Sequence, residues 1–128
     1  MKLLFDSHLL IWSAAGSSRM PKRALALLND RDNEIYYSAA SLWEITIKAS
    51  GKQRGFQVDP RLLLRSLRDN GFSELPVTSH HTIAILGLPD IHKDPFDRLL
   101  IVQAITEGIT LLTSDATVAK YPGPIQKV

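Results

Sequence analysis

His92-Lys93-Asp94-Pro95-Phe96-Asp97-Arg98 places two carboxylates and a guanidinium directly before a long apolar run. As helix grammar, Asp94 is the N-cap, Pro95 the first helical residue and Asp97 the acid three residues past the cap. A helix is then expected over Pro95 to Glu107, burying Leu99, Leu100, Ile101, Ala104 and Ile105, with Gly108 as its stop. The same residue types also suit an acid that faces a metal. The positions of the other acids decide between the two.

Working outward, short β-like runs alternate with helical patterns. Leu3-Leu4-Phe5, Glu34-Ile35-Tyr36-Tyr37-Ser38 and Ile109-Thr110-Leu111-Leu112-Thr113 read as strands. Leu75-Pro76-Val77 reads as a weaker strand, with Pro76 marking an edge or an end. Pro124 to Val128 reads as a last edge strand. Helices are expected over Ser7 to Ala15, Pro21 to Leu28, Ser41 to Ser50, Pro60 to Asp69 and Ser79 to Leu86, with a short one at Ala116 to Lys120. Gly51 to Gly55 reads as a flexible loop. The alternation predicts one α/β domain over residues 1–128, a mostly parallel sheet covered on both faces.

A chain of 128 residues can bury a real core without staples. It contains no Cys, which excludes disulfides, thiolate nucleophiles and Cys-based zinc sites and fits a reducing, cytoplasmic setting. The apolar run before Asp6 is too short for a signal peptide, and no run suits a membrane span. Fifteen Lys and Arg against thirteen Asp and Glu give a net charge of +2. Nucleic-acid binding does not follow from so small an excess.

In a parallel α/β sheet, ligands bind beyond the carboxyl ends of the strands. Asp6 directly follows the first strand, and Asp115 follows the strand ending at Thr113. Glu44 and Asp97 each lie one turn into a helix. Singly, each acid reads as a cap; Ser41-Leu42-Trp43-Glu44, for example, fits a capping box. Together, four acids from four segments converge on one sheet edge. Four ionised carboxylates repel unless protonated or neutralised by a cation. All-oxygen donors favour Mg²⁺ or Mn²⁺ over zinc. Such an ion suits phosphodiester hydrolysis, since it polarises a phosphoryl oxygen and activates a water.

Leu3-Leu4-Phe5-Asp6-Ser7-His8, Ser38-Ala39-Ala40-Ser41-Leu42-Trp43-Glu44-Ile45, Asp94-Pro95-Phe96-Asp97-Arg98 and Thr113-Ser114-Asp115 occur in this order. In this respect the chain resembles the PIN-domain ribonucleases, specifically the VapC-like toxins of type II toxin–antitoxin modules. The resemblance spans nearly the whole chain. It implies a three-layer α/β/α fold and Mg²⁺- or Mn²⁺-dependent endonucleolytic cleavage of RNA. Asp6, Glu44, Asp97 and Asp115 match the family's acidic positions and are implied as metal-binding and catalytic. Asp94 matches an extra acid of one branch and is given mainly to capping. The resemblance also implies a homodimer and a small antitoxin that covers the active site. Ser7 stands where the family frequently carries Thr, and Ala116-Thr117 lack the further acid some relatives carry after Asp115.

Around the acids, Ser7, His8, Asp94, Arg98, Thr113 and Lys48 are candidate supporting or substrate-contacting residues. For His8, a ligand or orienting role near Asp6 stands beside a plain helix-surface or partly buried position. For Arg98, a hold on the scissile phosphate stands beside an ordinary first-turn salt bridge. His92 is near enough to the acid segment to reach a phosphate. Lys48, Lys52 and Arg54 would make an RNA-backbone patch or simply a solvated face. His80 and His81 point in different directions on a helix and are expected at the surface. Trp12 and Trp43 are expected in the core or a dimer interface. Leu62-Leu63-Leu64 is either a buried helix or part of a partner groove. Ser41 has no triad around it, which sets aside a serine hydrolase. A non-catalytic binding module is the other class considered, and retention of all four acids speaks against it. A phosphatase or flap nuclease would need an insertion that this length does not provide.

Overall fold

The computed structural model describes residues 1–51 and 55–128. Five strands form one sheet: β1 (Lys2–Phe5), β2 (Glu34–Ser38), β3 (Ser73–Leu75), β4 (Thr110–Thr113) and β5 (Ile125–Lys127). Their spatial order is β3-β2-β1-β4-β5, and every neighbouring pair is parallel. Parallel strands need long crossovers. These are supplied by α1 (Ser7–Ala15) and α2 (Lys22–Asn29), then α3 (Ala39–Ser50) and α4 (Pro60–Asp69), then α5 (Ser79–Ala84) and α6 (Pro95–Glu107).

Strand side chains alternate between two cores, as a period of two requires. Leu3, Phe5, Ile35, Tyr37 and Leu112 enter one cluster with Leu9, Leu10, Ala24, Ile45, Leu63 and Leu67 from α1 to α4. Leu4 and Leu111 enter the other with Leu100, Ile101 and Ala104 of α6. Helices therefore cover both faces, and the architecture is three-layer α/β/α. Leu3, Leu4, Phe5, Leu111 and Leu112 are all fully buried, which is why β1 and β4 read as continuous apolar runs.

The chain winds from β1 through β2 to β3 on one side, then crosses to β4 and β5 on the other. The strand order therefore reverses between β1 and β4. Beyond the carboxyl ends of these two strands the connections diverge and leave a crevice, the usual ligand position in an open α/β sheet.

The helix bounds follow local chemistry where a cap and a proline coincide. Asp59-Pro60 opens α4 and Asp94-Pro95 opens α6, each with the aspartate side chain accepting a backbone N–H. Gly16 and Gly108 close α1 and α6 at φ near +60, a conformation that costs other residues a Cβ clash.

Four expectations shift. α3 starts at Ala39 with Ser38 as its N-cap, the Ser38 hydroxyl accepting the Ala40 N–H, so Ser41 and Glu44 do not form the expected capping box. The α5 segment is helical only to Ala84 and continues as a 3₁₀ turn over Ile85–Gly87. Ile83 and Leu86 are exposed there, so no packing holds a longer helix. Ala116 to Lys120 is a turn with a 3₁₀ segment at Val118–Lys120, and Tyr121, which precedes Pro122, is extended. The third strand ends at Leu75, just before Pro76, rather than beginning there.

His81 is the clearest correction. It is 1% exposed, not a surface residue. The Thr78 backbone N–H donates to its Nδ1 at 3.0 Å, and its own backbone N–H faces the Thr78 hydroxyl at 3.5 Å, a capping box built with histidine. The ring lies against α6, with Nε2 3.5 Å from Glu107. His80 is exposed as expected. Trp12 packs partly buried against the first core. Trp43 does not enter a core. It is 62% exposed and meets the Phe96 ring edge-on at 5.3 Å. Of the three leucines on α4, Leu63 is buried and Leu62 is exposed. No described helix is long and apolar enough to cross a membrane. Lys52, Arg54 and most of the Gly51 to Gly55 loop lie outside the described residues.

Candidate active site

The β1 chain ends at Phe5, and Asp6 turns it into α1. Its Oδ1 accepts the Leu9 backbone N–H at 2.9 Å. Its Oδ2 accepts the Thr113 hydroxyl at 2.7 Å and the Ser114 N–H at 3.3 Å. Thr113, the last residue of β4, is fully buried. Its hydroxyl donates to Asp6 and accepts the Asp115 N–H at 3.0 Å. One side chain thus ties the ends of β1 and β4 together across the switch point. Burial pushes the Asp6 carboxyl above the usual carboxylate range, opposed by the Leu9 and Thr113 hydrogen bonds.

Glu44 projects from the second turn of α3 and is 9% exposed. The Ser7 hydroxyl donates to its Oε1 at 2.7 Å, and Lys48 Nζ sits 3.2 Å from its Oε2. The Ser41 hydroxyl takes no part in this: it is buried and finds no partner among the described residues.

Asp94 behaves as an N-cap. Its Oδ1 accepts the N–H groups of Phe96 and Asp97 at 2.9 and 3.0 Å. Asp97 stands one turn on, with Oδ2 2.9 Å from His92 Nε2. Its carboxyl is pushed up to about 6. Burial is the main cause and Asp94 the next. Glu44 adds repulsion, while the His92 hydrogen bond pulls the other way. Asp115 also caps, its Oδ1 accepting the Thr117 N–H at 2.7 Å and the Val118 N–H at 3.4 Å.

Asp6, Glu44, Asp97 and Asp115 all line one cleft of about 400 Å³, together with Ser7, His8, Lys48, His92 and Asp94. Acids expected from four separate segments therefore meet in one place. Among the described residues, His92, Asp94 and Asp97 are the one group of three whose ligand atoms all lie within 4.8 Å of one another; no three of the four acids Asp6, Glu44, Asp97 and Asp115 close to that distance, although all four line the cleft. Nothing in the sequence near His92 says which way its ring turns; the structure points it at Asp97. His8 is exposed, with its ring 5.5 Å from that of Trp12, and it lines the cleft beside Asp6. Arg98 makes no ion pair among the described residues, and its Nε is buried without a partner. The first-turn salt bridge considered for it does not form.

Fold and site together define a doubly wound α/β domain with an acid-lined cleft at its topological switch point. The chain belongs to the PIN domain family, whose model matches residues 3–124. Among solved structures it is similar to VapBC2 from Rickettsia felis bound to a promoter DNA fragment. The identity there is 15%, covering 99% of this chain and 98% of that one, with a TM-score of 0.71. It is also similar to DNA-bound VapBC from Salmonella typhimurium, at 15% identity over 99% and 98% of the two chains and a TM-score of 0.67. A third is Mycobacterium tuberculosis VapC20, a toxin that cleaves the sarcin–ricin loop, at 18% identity over 94% and 96% and a TM-score of 0.60. At such identities the likeness is one of fold. A search of curated proteins returned no match.

Proposed function

We propose that this chain is a divalent-metal-dependent endoribonuclease and the toxin of a toxin–antitoxin pair. The observation that carries the reading is the placement of Asp6, Glu44, Asp97 and Asp115 around one cleft at the carboxyl edge of the sheet. The donor set fits a hard ion. It is all oxygen, and it contains no thiolate. The Asp97 carboxyl, held up to about 6 by burial and by its acidic neighbours, is the kind of group a cation relieves. Asp6, Glu44, Asp97 and Asp115 would hold Mg²⁺ or Mn²⁺. When bound, the ion supplies charge neutralisation at the phosphate and a polarised water.

The chain's own groups prepare this site. The Thr113 hydroxyl and the Leu9 and Ser114 N–H groups hold both oxygens of Asp6 in one orientation. The Ser7 hydroxyl holds one oxygen of Glu44, so Ser serves here as Thr would. Lys48, beside Glu44 on the cleft wall, offers a cation to the RNA backbone. No side chain stands out as a separate general base, so proton removal from the attacking water falls to a carboxylate of the cluster.

The partners follow from the kind of proteins this fold is shared with. VapBC and FitAB structures are complexes with DNA, and VapC20 is a toxin that cleaves the sarcin–ricin loop. For this chain we propose an RNA substrate, a cognate antitoxin that covers the cleft, and a homodimer, with residues 1–128 acting as one nuclease domain. The test is cleavage of a defined RNA by the purified chain with Mg²⁺, with EDTA, and by Asp6→Asn with Mg²⁺. Cleavage is expected only in the first case. Equal cleavage in all three sinks the proposal.

A further inference from the structure

We infer that His92 is a positioning residue that fixes the orientation of Asp97, and that Tyr121 holds His92 in place to do so. The inference rests on the metal-nuclease reading of the cleft and adds a device that the four acids do not contain.

The geometry is continuous from core to cleft. Tyr121 is 4% exposed and belongs to the second core cluster. Its hydroxyl sits between both backbone groups of His92. It accepts the His92 N–H at 2.6 Å and donates to the His92 carbonyl at 3.1 Å. Residue 92 lies in a segment without regular structure, where such a double contact is not supplied by a helix or sheet. A loop residue clamped at both backbone groups has little freedom to swing. Its ring is carried to the cleft wall, where Nε2 lies 2.9 Å from Asp97 Oδ2.

That contact engages one carboxylate oxygen, and the other has no partner among the described residues. With only a backbone cap behind it, a first-turn aspartate can rotate about χ1 and χ2. A donor at Oδ2 selects one rotamer and turns Oδ1 toward its task. Asp94 is held by α6 rather than by a side chain, its Oδ1 accepting two backbone N–H groups of that helix. The arrangement also links two acids. Asp115 caps the turn that leads through Val118–Lys120 to Tyr121, so the same short segment that carries one acid carries the clamp for the other. Groups that hold metal-binding carboxylates by hydrogen bonds commonly affect metal affinity or activity by 10- to 100-fold.

The test is Mn²⁺ binding followed by calorimetry and by the Mn²⁺-dependent rise in unfolding temperature. It uses the wild-type chain, Asp97→Asn, His92→Ala, His92→Gln and Tyr121→Phe. His92→Ala should weaken Mn²⁺ binding by about 10- to 100-fold. His92→Gln, whose amide nitrogen reaches about as far as Nε2, should restore most of it. Tyr121→Phe should weaken it to an intermediate degree without touching Asp97. A purely structural role would lower the metal-free unfolding temperature of His92→Ala and leave its Mn²⁺ affinity unchanged; that result overturns the inference while the metal site stands. A wild-type chain that binds no Mn²⁺ overturns the metal reading and this inference with it.

Discussion

In Asp97→Asn, a carboxylate at the start of α6 becomes a neutral amide of the same shape. The wild-type group pays for its position, since its carboxyl is moved from 3.8 to about 6 by burial and by Asp94. Two pKa units correspond to roughly 3 kcal/mol. The side chain is 23% exposed, and solvent screening reduces this to about 1–2 kcal/mol. The sign follows from proton release. Below about pH 4 the group is protonated in the folded and unfolded chains alike, and the two proteins are matched. As pH rises from about 4 through about 6, the unfolded chain loses its proton first, so the wild type loses stability relative to the variant. Above pH 7 the difference is complete. In EDTA at pH 7.5, Asp97→Asn should therefore unfold about 3–8 °C higher than the wild type. The ranking inverts with an ion, because binding at a hundred times Kd adds about 2.7 kcal/mol to the wild type alone. Cleavage should fall together with that added stability. Thermal unfolding from pH 4 to 8, with EDTA and with Mn²⁺, reads both effects. A variant less stable than the wild type in EDTA at pH 7.5, or one with an undiminished Mn²⁺ shift, refutes the reasoning.

Thr113→Val keeps the shape of a fully buried side chain but removes a donor from Asp6 and an acceptor from the Asp115 N–H. Urea unfolding should show a loss of about 1–3 kcal/mol, with RNA cleavage falling as well. Asp94→Ala removes the cap of α6 and should cost about 1 kcal/mol while leaving the Mn²⁺-dependent shift largely intact. Loss of that shift would make Asp94 a ligand instead. Gln103→Leu takes the amide away from Ser38 and from the Pro76 carbonyl, both of which it bonds. It should destabilise the chain by about 1–3 kcal/mol with no change in Mn²⁺ affinity, as measured by calorimetry.

The parts of the fold that were legible are those decided locally. Asp59-Pro60 and Asp94-Pro95 set helix starts because cap and proline act within one turn. The buried strands read as apolar runs because both faces are covered. The acids were legible as a set, since each follows a strand or opens a helix at one end of the sheet. The rest depends on contacts between distant segments. His81 is buried because α5 lies on α6, which no pattern near residue 81 records. Gln103, 0% exposed in the middle of α6, is paired with Ser38 across 65 residues. Its polarity placed it outside any apolar stripe. The backbone of His92 is held by the Tyr121 hydroxyl, 29 residues on, which nothing near residue 92 records. Of the two places expected for Trp43, the core is excluded, since the ring is exposed and meets Phe96 edge-on; a large apolar ring left outside the core is what an interface between copies would cover.

The central claim is that the four acids hold a divalent ion in this cleft. Anomalous diffraction from crystals of the purified chain grown with Mn²⁺ measures that directly. A manganese peak is predicted within coordinating distance of carboxylate oxygens of Asp6, Glu44, Asp97 and Asp115, absent in Asp97→Asn crystals. A cleft without a peak at saturating Mn²⁺, or a peak that survives Asp97→Asn unchanged, contradicts it.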